Sequence, residues 1–328
     1  PINMKIVVLD GYTLNPGDLS WDGFKKMGEL AVYDRTAPDD VVKRAGDAEV
    51  VLTNKTRLNR ELIRKLQALR YVGVLATGYD VVNLQDAAKR GVIVTNIPNY
   101  ATASVAQHVF AMILEQTNHV SSHAHSVFKG RWERCPDFTY WMYPIRELDG
   151  LTMGILGLGR IGAKVAGMAQ AFGMRVIVHT EDPPSPMPEG LELVSMDDLF
   201  KRSDFLSLHC PLTAKTEKII NAARLAQMKP SALLVNTARG GLIDEKALVD
   251  ALGRKQIAGA LLDVLTQEPP DKKNPLLRAR NCWITPHQSW ASRASRERLM
   301  AIAVENLRAF LAGHPVNVVN GIDLQKRG

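Results

Sequence analysis

Met153-Gly154-Ile155-Leu156 runs straight into Gly157-Leu158-Gly159-Arg160-Ile161-Gly162, and Val176-Ile177-Val178 follows after a stretch in which Ile161, Val165, Met168 and Phe172 recur at helical spacing up to Gly173. A strand, a glycine-rich turn, a helix and a second strand in that order form the unit that cradles a dinucleotide pyrophosphate. Gly157 suits the tight turn, Gly159 lets backbone approach a phosphate, and Gly162 lets helix and strand pack closely. The helix N terminus offers N–H groups and partial positive charge to the anion. An ordinary βα turn needs fewer glycines. The acidic residue that usually holds the adenosine ribose belongs at the end of the second strand. Thr180 stands there, followed by Glu181 and Asp182, and no Arg or Lys occurs from Val176 until Lys201. A ribose 2′-phosphate would meet repulsion, so NAD(H) is expected rather than NADP(H).

Outward from this unit the same alternation continues. Phe205 to Leu208, Ala232 to Val235, Ala260 to Leu262 and Trp283 to Thr285 read as further strands of one parallel sheet, and Ile6 to Leu9, Ala31 to Tyr33, Val50 to Leu52, Tyr71 to Leu75 and Val92 to Val94 as those of another. Asn59 is a helix cap, and a helix from about Asn83 stops at Gly91. Arg293 to Ala312 carries Leu299, Ile302, Leu307, Phe310 and Leu311 at helical spacing before Gly313. It is left over once the second sheet is complete, and it can bury its apolar face on the first. The expected fold is therefore α/β, with two doubly wound parallel-sheet domains: a Rossmann cofactor domain over residues 100–286 and a flavodoxin-like substrate domain from residues 1–99 and 287–328. An arm at about 118–148 holds Phe138, Tyr140, Trp141 and Tyr143 in a Pro-bounded segment, more aromatic surface than a solvated loop should carry, so it is expected to join two copies in a homodimer.

Composition excludes other classes. With 328 residues, 46% apolar and 23% charged, the chain is neither disordered nor fibrous and is long enough for two cores. No apolar run is long enough to cross a bilayer, and no secretory leader is recognisable, so a cytoplasmic protein without a membrane partner is expected. Pro1 to Asn3 precede Met4, read as the initiator, and are set aside as an appended scar. Cys135, Cys210 and Cys282 are odd in number and far apart, which fits reduced thiols better than disulfides or zinc. The net charge of +7 is interleaved with acids rather than gathered in a tract, which suits small anionic substrates and not nucleic acid. His119 and His123 share a helix face with His125 nearby, but no acidic or Cys ligand accompanies them, and no metal is expected. Lys55 and Arg57 read as surface charges, with attraction of anions as the alternative.

Three further strings stand at strand ends, where open α/β sheets bind ligands: Asn236-Thr237-Ala238-Arg239-Gly240-Gly241, Asp263-Val264-Leu265 leading to Glu268-Pro269, and Thr285-Pro286-His287. With the glycine fingerprint they resemble the D-isomer-specific 2-hydroxyacid dehydrogenase family over nearly the whole chain, from Met4 to Val319. Gly73 to Asp80 and His287 to Ser292 look most like its glycerate dehydrogenase (hydroxypyruvate reductase) branch.

The resemblance implies reduction of a small 2-keto acid, hydroxypyruvate first. Arg239 would grip the substrate carboxylate and polarise its carbonyl, because a guanidinium fork bridges both oxygens and favours the developing alkoxide. His287 would be the acid–base residue and Glu268 its carboxylate partner, favouring imidazolium. Ala76, Thr77 and Gly78 would receive the substrate carboxylate. Arg160 and Ile161 would lie at the pyrophosphate, Thr180 at the ribose, Cys210 and Pro211 near the adenosine, and Thr237, Ala238 and Asp263 around the nicotinamide, with Asp263 accepting from its carboxamide. Two positions depart from the family pattern: Thr180 replaces the usual Asp, and Gln107 stands where Glu is common. Glyoxylate reductase and phosphoglycerate dehydrogenase are the alternatives within the family, although common forms of the latter carry a further C-terminal domain. The family's NAD(H)-binding corepressors, which act by recruiting partners, are the alternative of another class.

Overall fold

Short runs of β-branched and leucine residues become twelve strands among the described residues, 4–321, of the computed structural model. The scar reading of Pro1 to Asn3 and the outermost ends of the expected substrate domain lie outside them. The chain divides into two compact units, one made of the residues to Tyr100 together with those from Ala291, the other of Ala101–Trp290. The return into the first unit was expected at residue 287 and comes at 291. The reason lies in Asp263, whose main-chain oxygen accepts from His287 N and whose carboxylate accepts from Gln288 N and Ser289 N, so that this segment stays with the larger unit.

In the first unit β1 (Lys5–Val8), β2 (Glu29–Val32), β3 (Val50–Thr53), β4 (Tyr71–Val74) and β5 (Ile93–Thr95) form a parallel sheet in the order β2-β1-β3-β4-β5. That is the flavodoxin-like order, with its reversal between β1 and β3. β3 and β4 are buried at every residue, which is why they read as continuous apolar runs rather than alternating ones. Asn59 and Asn83 cap the helices Arg60–Lys65 and Leu84–Lys89 by accepting from Leu62 N and Asp86 N. The helix Arg293–Leu311 packs on β4, with Leu307 fully buried and the Phe310 ring 4.9 Å from that of Tyr71.

The second unit contains β6 (Thr152–Leu156), β7 (Arg175–His179), β8 (Leu191–Leu193), β9 (Phe205–Leu208), β10 (Leu233–Asn236), β11 (Gly259–Leu262) and β12 (Cys282–Ile284), all parallel, in the order β12-β11-β10-β9-β6-β7-β8. Counted from β6, this is the dinucleotide-binding order with one strand added at the far edge, and its reversal falls between β6 and β9. β8 has no counterpart in the sequence reading, because a three-residue, largely exposed edge strand leaves no apolar run. The long helix Thr102–Asn118 packs on the helix Arg160–Ala171, and Phe110 stacks on Phe172 at 5.1 Å. No helix among the described residues is long and apolar enough to cross a membrane.

The segment after Asn118 behaves differently. His119 turns left-handed at φ 51°, and the helix Val120–Phe128 that follows buries none of its residues. Phe138 is 89% exposed and Trp141 67%.

Candidate active site

The loop after β6 lies at the sheet's reversal. A Cβ on Gly157, whose φ is +95°, would fall 2.7 Å from the amide nitrogen of Cys210, at the end of β9. One on Gly162 would fall 2.2 Å from the Gly157 carbonyl oxygen, so both positions demand glycine. Gly159 meets nothing within 4 Å: the space above it is open, as an approaching pyrophosphate requires. The helix Arg160–Ala171 has Gly159 as its N-cap and no side-chain cap, and its ladder begins with Ala163 N to Gly159 O. The N–H groups of Arg160, Ile161 and Gly162 thus precede the ladder and remain for an anion. Thr180 follows β7, with Glu181 and Asp182 exposed beyond it. Cys210 and Pro211 follow β9, and burial pushes the Cys210 thiol up, with the charge of Glu181 adding to it. His209 beside it pairs with the Ser207 hydroxyl at 2.8 Å, and burial lowers it to about 4, so it is neutral at ordinary pH.

At the end of β10 the fully buried Asn236 shapes the turn, accepting from Ala238 N at 3.0 Å and donating to Arg239 O at 2.9 Å. Arg239 is thereby held with its guanidinium exposed, and it donates to the carbonyl of Ala238. Thr237 is 8% exposed, and its buried hydroxyl has no hydrogen-bond partner among the described residues. A buried hydroxyl left unpaired costs free energy, so its place at a strand end beside the glycine loop's sheet fits a polar group brought by a ligand. The open space at Gly159, the uncapped helix and this orphan hydroxyl together fit a bound dinucleotide.

A Cβ on Gly240 would fall 2.0 Å from the carbonyl carbon of Leu265, so the Arg239 turn lies directly against the segment leading to Glu268. Glu268 Oε1 accepts from Leu265 N at 3.0 Å, and its Oε2 lies 2.5 Å from His287 Nδ1. A carboxylate only accepts, so Nδ1 carries the proton and Nε2 is the ring nitrogen left for proton exchange. His287 has φ +51°, an uncommon conformation for a non-glycine residue, and its N–H is shared between Asp263 O and Thr285 O. The Asp263 side chain has no exposed surface and accepts from Thr285 Oγ1, Gln288 N and Ser289 N, which ties it to the His287 segment.

Ala76, Thr77 and Gly78 follow β4 in the other unit. Thr77 anchors this loop, its hydroxyl donating to Ile97 O at 2.7 Å and its carbonyl accepting from Asn96 Nδ2 at 2.8 Å. At that sheet's reversal Asp10 accepts from the main-chain N–H groups of Asn54, Lys55 and Thr56. Gln107 is exposed on its helix. His123 spends both ring nitrogens on the chain, with Nδ1 to His119 O and Nε2 accepting from Met142 N. Among the described residues no group of His, Cys, Asp and Glu side chains is placed to hold a metal. His108, on the helix Thr102–Asn118, places its Nε2 3.0 Å from Thr285 Oγ1. Sequence reasoning missed these contacts of Asn236, Asp10 and His108. Asn236 stands in one of the strand-end strings, but nothing in that string says that its side chain shapes the turn. The partners of Asp10 and His108 are too distant in sequence to leave a signal.

Residues 110–289 match the family model described as D-isomer specific 2-hydroxyacid dehydrogenase, NAD binding domain. The chain belongs to the D-isomer-specific 2-hydroxyacid dehydrogenase family, and its relatives named below are oxidoreductases. It is 51% identical over 321 residues to a hydroxypyruvate reductase of Blautia hydrogenotrophica, covering 97% of this chain and 100% of that one. A glycerate dehydrogenase of Methylorubrum extorquens is 39% identical, with 96% and 98% covered. Among solved structures, the NADPH-dependent glyoxylate/hydroxypyruvate reductase of Sinorhizobium meliloti, in complex with NADP and malonate, is similar at 30% identity and TM-score 0.81, covering 97% of each chain.

Proposed function

We propose that this chain reduces hydroxypyruvate to the D-2-hydroxy acid D-glycerate, and glyoxylate to the achiral glycolate, using NADH. The observation that carries the reading is the His287–Glu268 pair, 2.5 Å apart, on a segment against which the Arg239 turn packs. Gly157, Gly159, Arg160, Ile161 and Gly162 would hold the pyrophosphate, Thr180 the adenosine ribose, Cys210 and Pro211 the adenosine edge, and Thr237 and Ala238 the nicotinamide end. When bound, the dinucleotide supplies the hydride. Arg239 grips the substrate carboxylate and, by its charge, favours the alkoxide oxygen as it forms. His287 Nε2 gives its proton to the carbonyl oxygen, and Glu268 orients the ring by accepting from Nδ1. A carbonyl, a hydride and a proton thus become an alcohol, and His287 is left neutral to be reprotonated from solvent.

The test is oxidation of NADH and of NADPH by purified protein with hydroxypyruvate, glyoxylate and 3-phosphohydroxypyruvate. Hydroxypyruvate with NADH is expected to be the best pair. Because Glu181 and Asp182 place negative charge where a 2′-phosphate would lie, catalytic efficiency with NADH should exceed that with NADPH by at least about tenfold, or ~1.4 kcal/mol. A preference for NADPH would mean that a cation distant in sequence reaches that ribose. Tight NADH binding with no turnover of any keto acid would return the chain to the partner-recruiting reading.

The same reading includes a homodimer. Phe128, Trp132, Phe138, Trp141, Tyr143 and Ile145 are exposed within about twenty residues, and a helix with no buried residue precedes most of them. Tyr140 differs, being half-buried with its hydroxyl 2.6 Å from that of Ser126. Exposed aromatics gathered in this way suit the centre of an interface. Sedimentation at micromolar protein should give a dimer, and Trp141→Asp with Phe138→Asp should shift it to monomer. A monomeric wild type would retire the arm.

A further inference from the structure

We infer that His108, on the helix Thr102–Asn118, is a positioning residue for His287, acting through Thr285 and Asp263. The inference rests on the proton-transfer role proposed for His287. The side chain of His108 is 16% exposed, and its Nε2 lies 3.0 Å from Thr285 Oγ1. The Thr285 hydroxyl donates to Asp263 Oδ1 at 2.6 Å. A hydroxyl has one proton, so towards His108 it accepts, and His108 Nε2 must be the N–H donor. This fixes the direction of the chain of bonds: His108 to Thr285 to the buried Asp263 carboxylate.

What the chain of bonds holds is the backbone that presents His287. Asp263 Oδ1 also accepts from Gln288 N and Oδ2 from Ser289 N, each at 2.9 Å, while the Asp263 main-chain oxygen accepts from His287 N. One residue thus grips three consecutive amides around a histidine at φ +51°, a conformation that persists only where its surroundings enforce it. The long helix adds a second grip four residues before His108, on the same face, where Ser104 Oγ donates to Ser289 O at 2.6 Å. Without the His108 donor, the Thr285 hydroxyl is free to turn away from Asp263, and a buried carboxylate loses a partner. The easiest relief is movement of residues 285–289, which carries the His287 ring away from Glu268.

The experiment labels histidine with nitrogen-15 and follows the ring signals of His287, assigned from their absence in His287→Asn, in the ligand-free protein. His108→Leu and Thr285→Val are each expected to shift them away from the wild-type pattern of an Nδ1–H held by a carboxylate. His108→Gln, whose amide can donate from a similar position, should keep them. In turnover, His108→Leu should lower kcat by about tenfold or more, as misplacing a proton donor does, with KM and NADH affinity within about twofold. The double variant should be no worse than the more impaired single, because the two side chains act in series. His287 signals unchanged in His108→Leu and Thr285→Val, or losses that add in the double variant, would overturn the inference. The signals require neither cofactor nor substrate. A wild type that turns over no keto acid would therefore sink the proposed function, while the positioning of the His287 ring by His108 would still be decided by the signals alone.

Discussion

Arg239→Ala is expected to lower kcat/KM for hydroxypyruvate by about a thousandfold, some 4 kcal/mol, the upper range for removing a single donor to a developing oxyanion. The size follows from the two roles that the proposed function gives one side chain. In that reaction the guanidinium holds a carboxylate through binding and also meets the charge that grows on the carbonyl oxygen, and only the second raises kcat. Both KM and kcat should therefore suffer. Arg239→Lys should recover little, since a point charge cannot bridge two oxygens as a planar fork does. Asn236 holds the turn through its own contacts with Ala238 N and Arg239 O, so the backbone should survive the substitution and NADH affinity should stay near wild type. Lys55→Ala is the control. Its amide helps form the Asp10-centred loop whatever its side chain, and the loss should stay below about tenfold if Lys55 only attracts anions. Equal losses in Arg239→Ala and Lys55→Ala would remove Arg239 from its role.

The difference between legible and illegible features follows sequence distance. The Gly157 loop was readable because strand, turn and helix are contiguous: Gly157 and Gly162 answer contacts that a Cβ would violate, against the neighbouring strand end and within that unit, while Gly159 leaves open space. Strands buried on both faces announced themselves as apolar runs, while β8 did not. Helix caps at Asn59 and Asn83 are local and were likewise visible. Strand order was not, since nothing in β9 says that it pairs with β6 rather than with β8. The site divides in the same way. Arg239, Glu268 and His287 could be singled out because each stands in a recognisable string, and the structure brings Glu268 to His287 and packs the Arg239 turn against Leu265. Asp263 could be singled out, but its hold on the His287 segment could not be read. Its partners Thr285, Gln288 and Ser289 lie more than twenty residues on, and a burial that leaves its carboxylate no exposed surface has no signature in a single chain. His108 lies 177 residues from Thr285 and looked like one more residue of a long helix.

His287→Ala should cost about a thousandfold in kcat, within the range for removing a general acid, while leaving the NADH dissociation constant within about twofold, because in the proposed function the residue moves a proton and the Gly157 loop holds the cofactor. Glu268→Gln separates proton supply from geometry. The amide can still accept from His287 Nδ1–H, so the ring can stay in place, but the negative charge 2.5 Å from it is gone. The loss should therefore fall on the proton-transfer step: kcat for reduction should drop by about tenfold or more, with the NADH dissociation constant within about twofold of wild type. Glu268→Ala, which removes the acceptor of Nδ1–H as well as the charge, should lose more than Glu268→Gln, because the ring is then also free to turn. Single-turnover reduction with NADH measures the step directly. If Glu268→Gln keeps the wild-type kcat, the negative charge does not aid proton transfer, and the contact with the ring serves only to orient it.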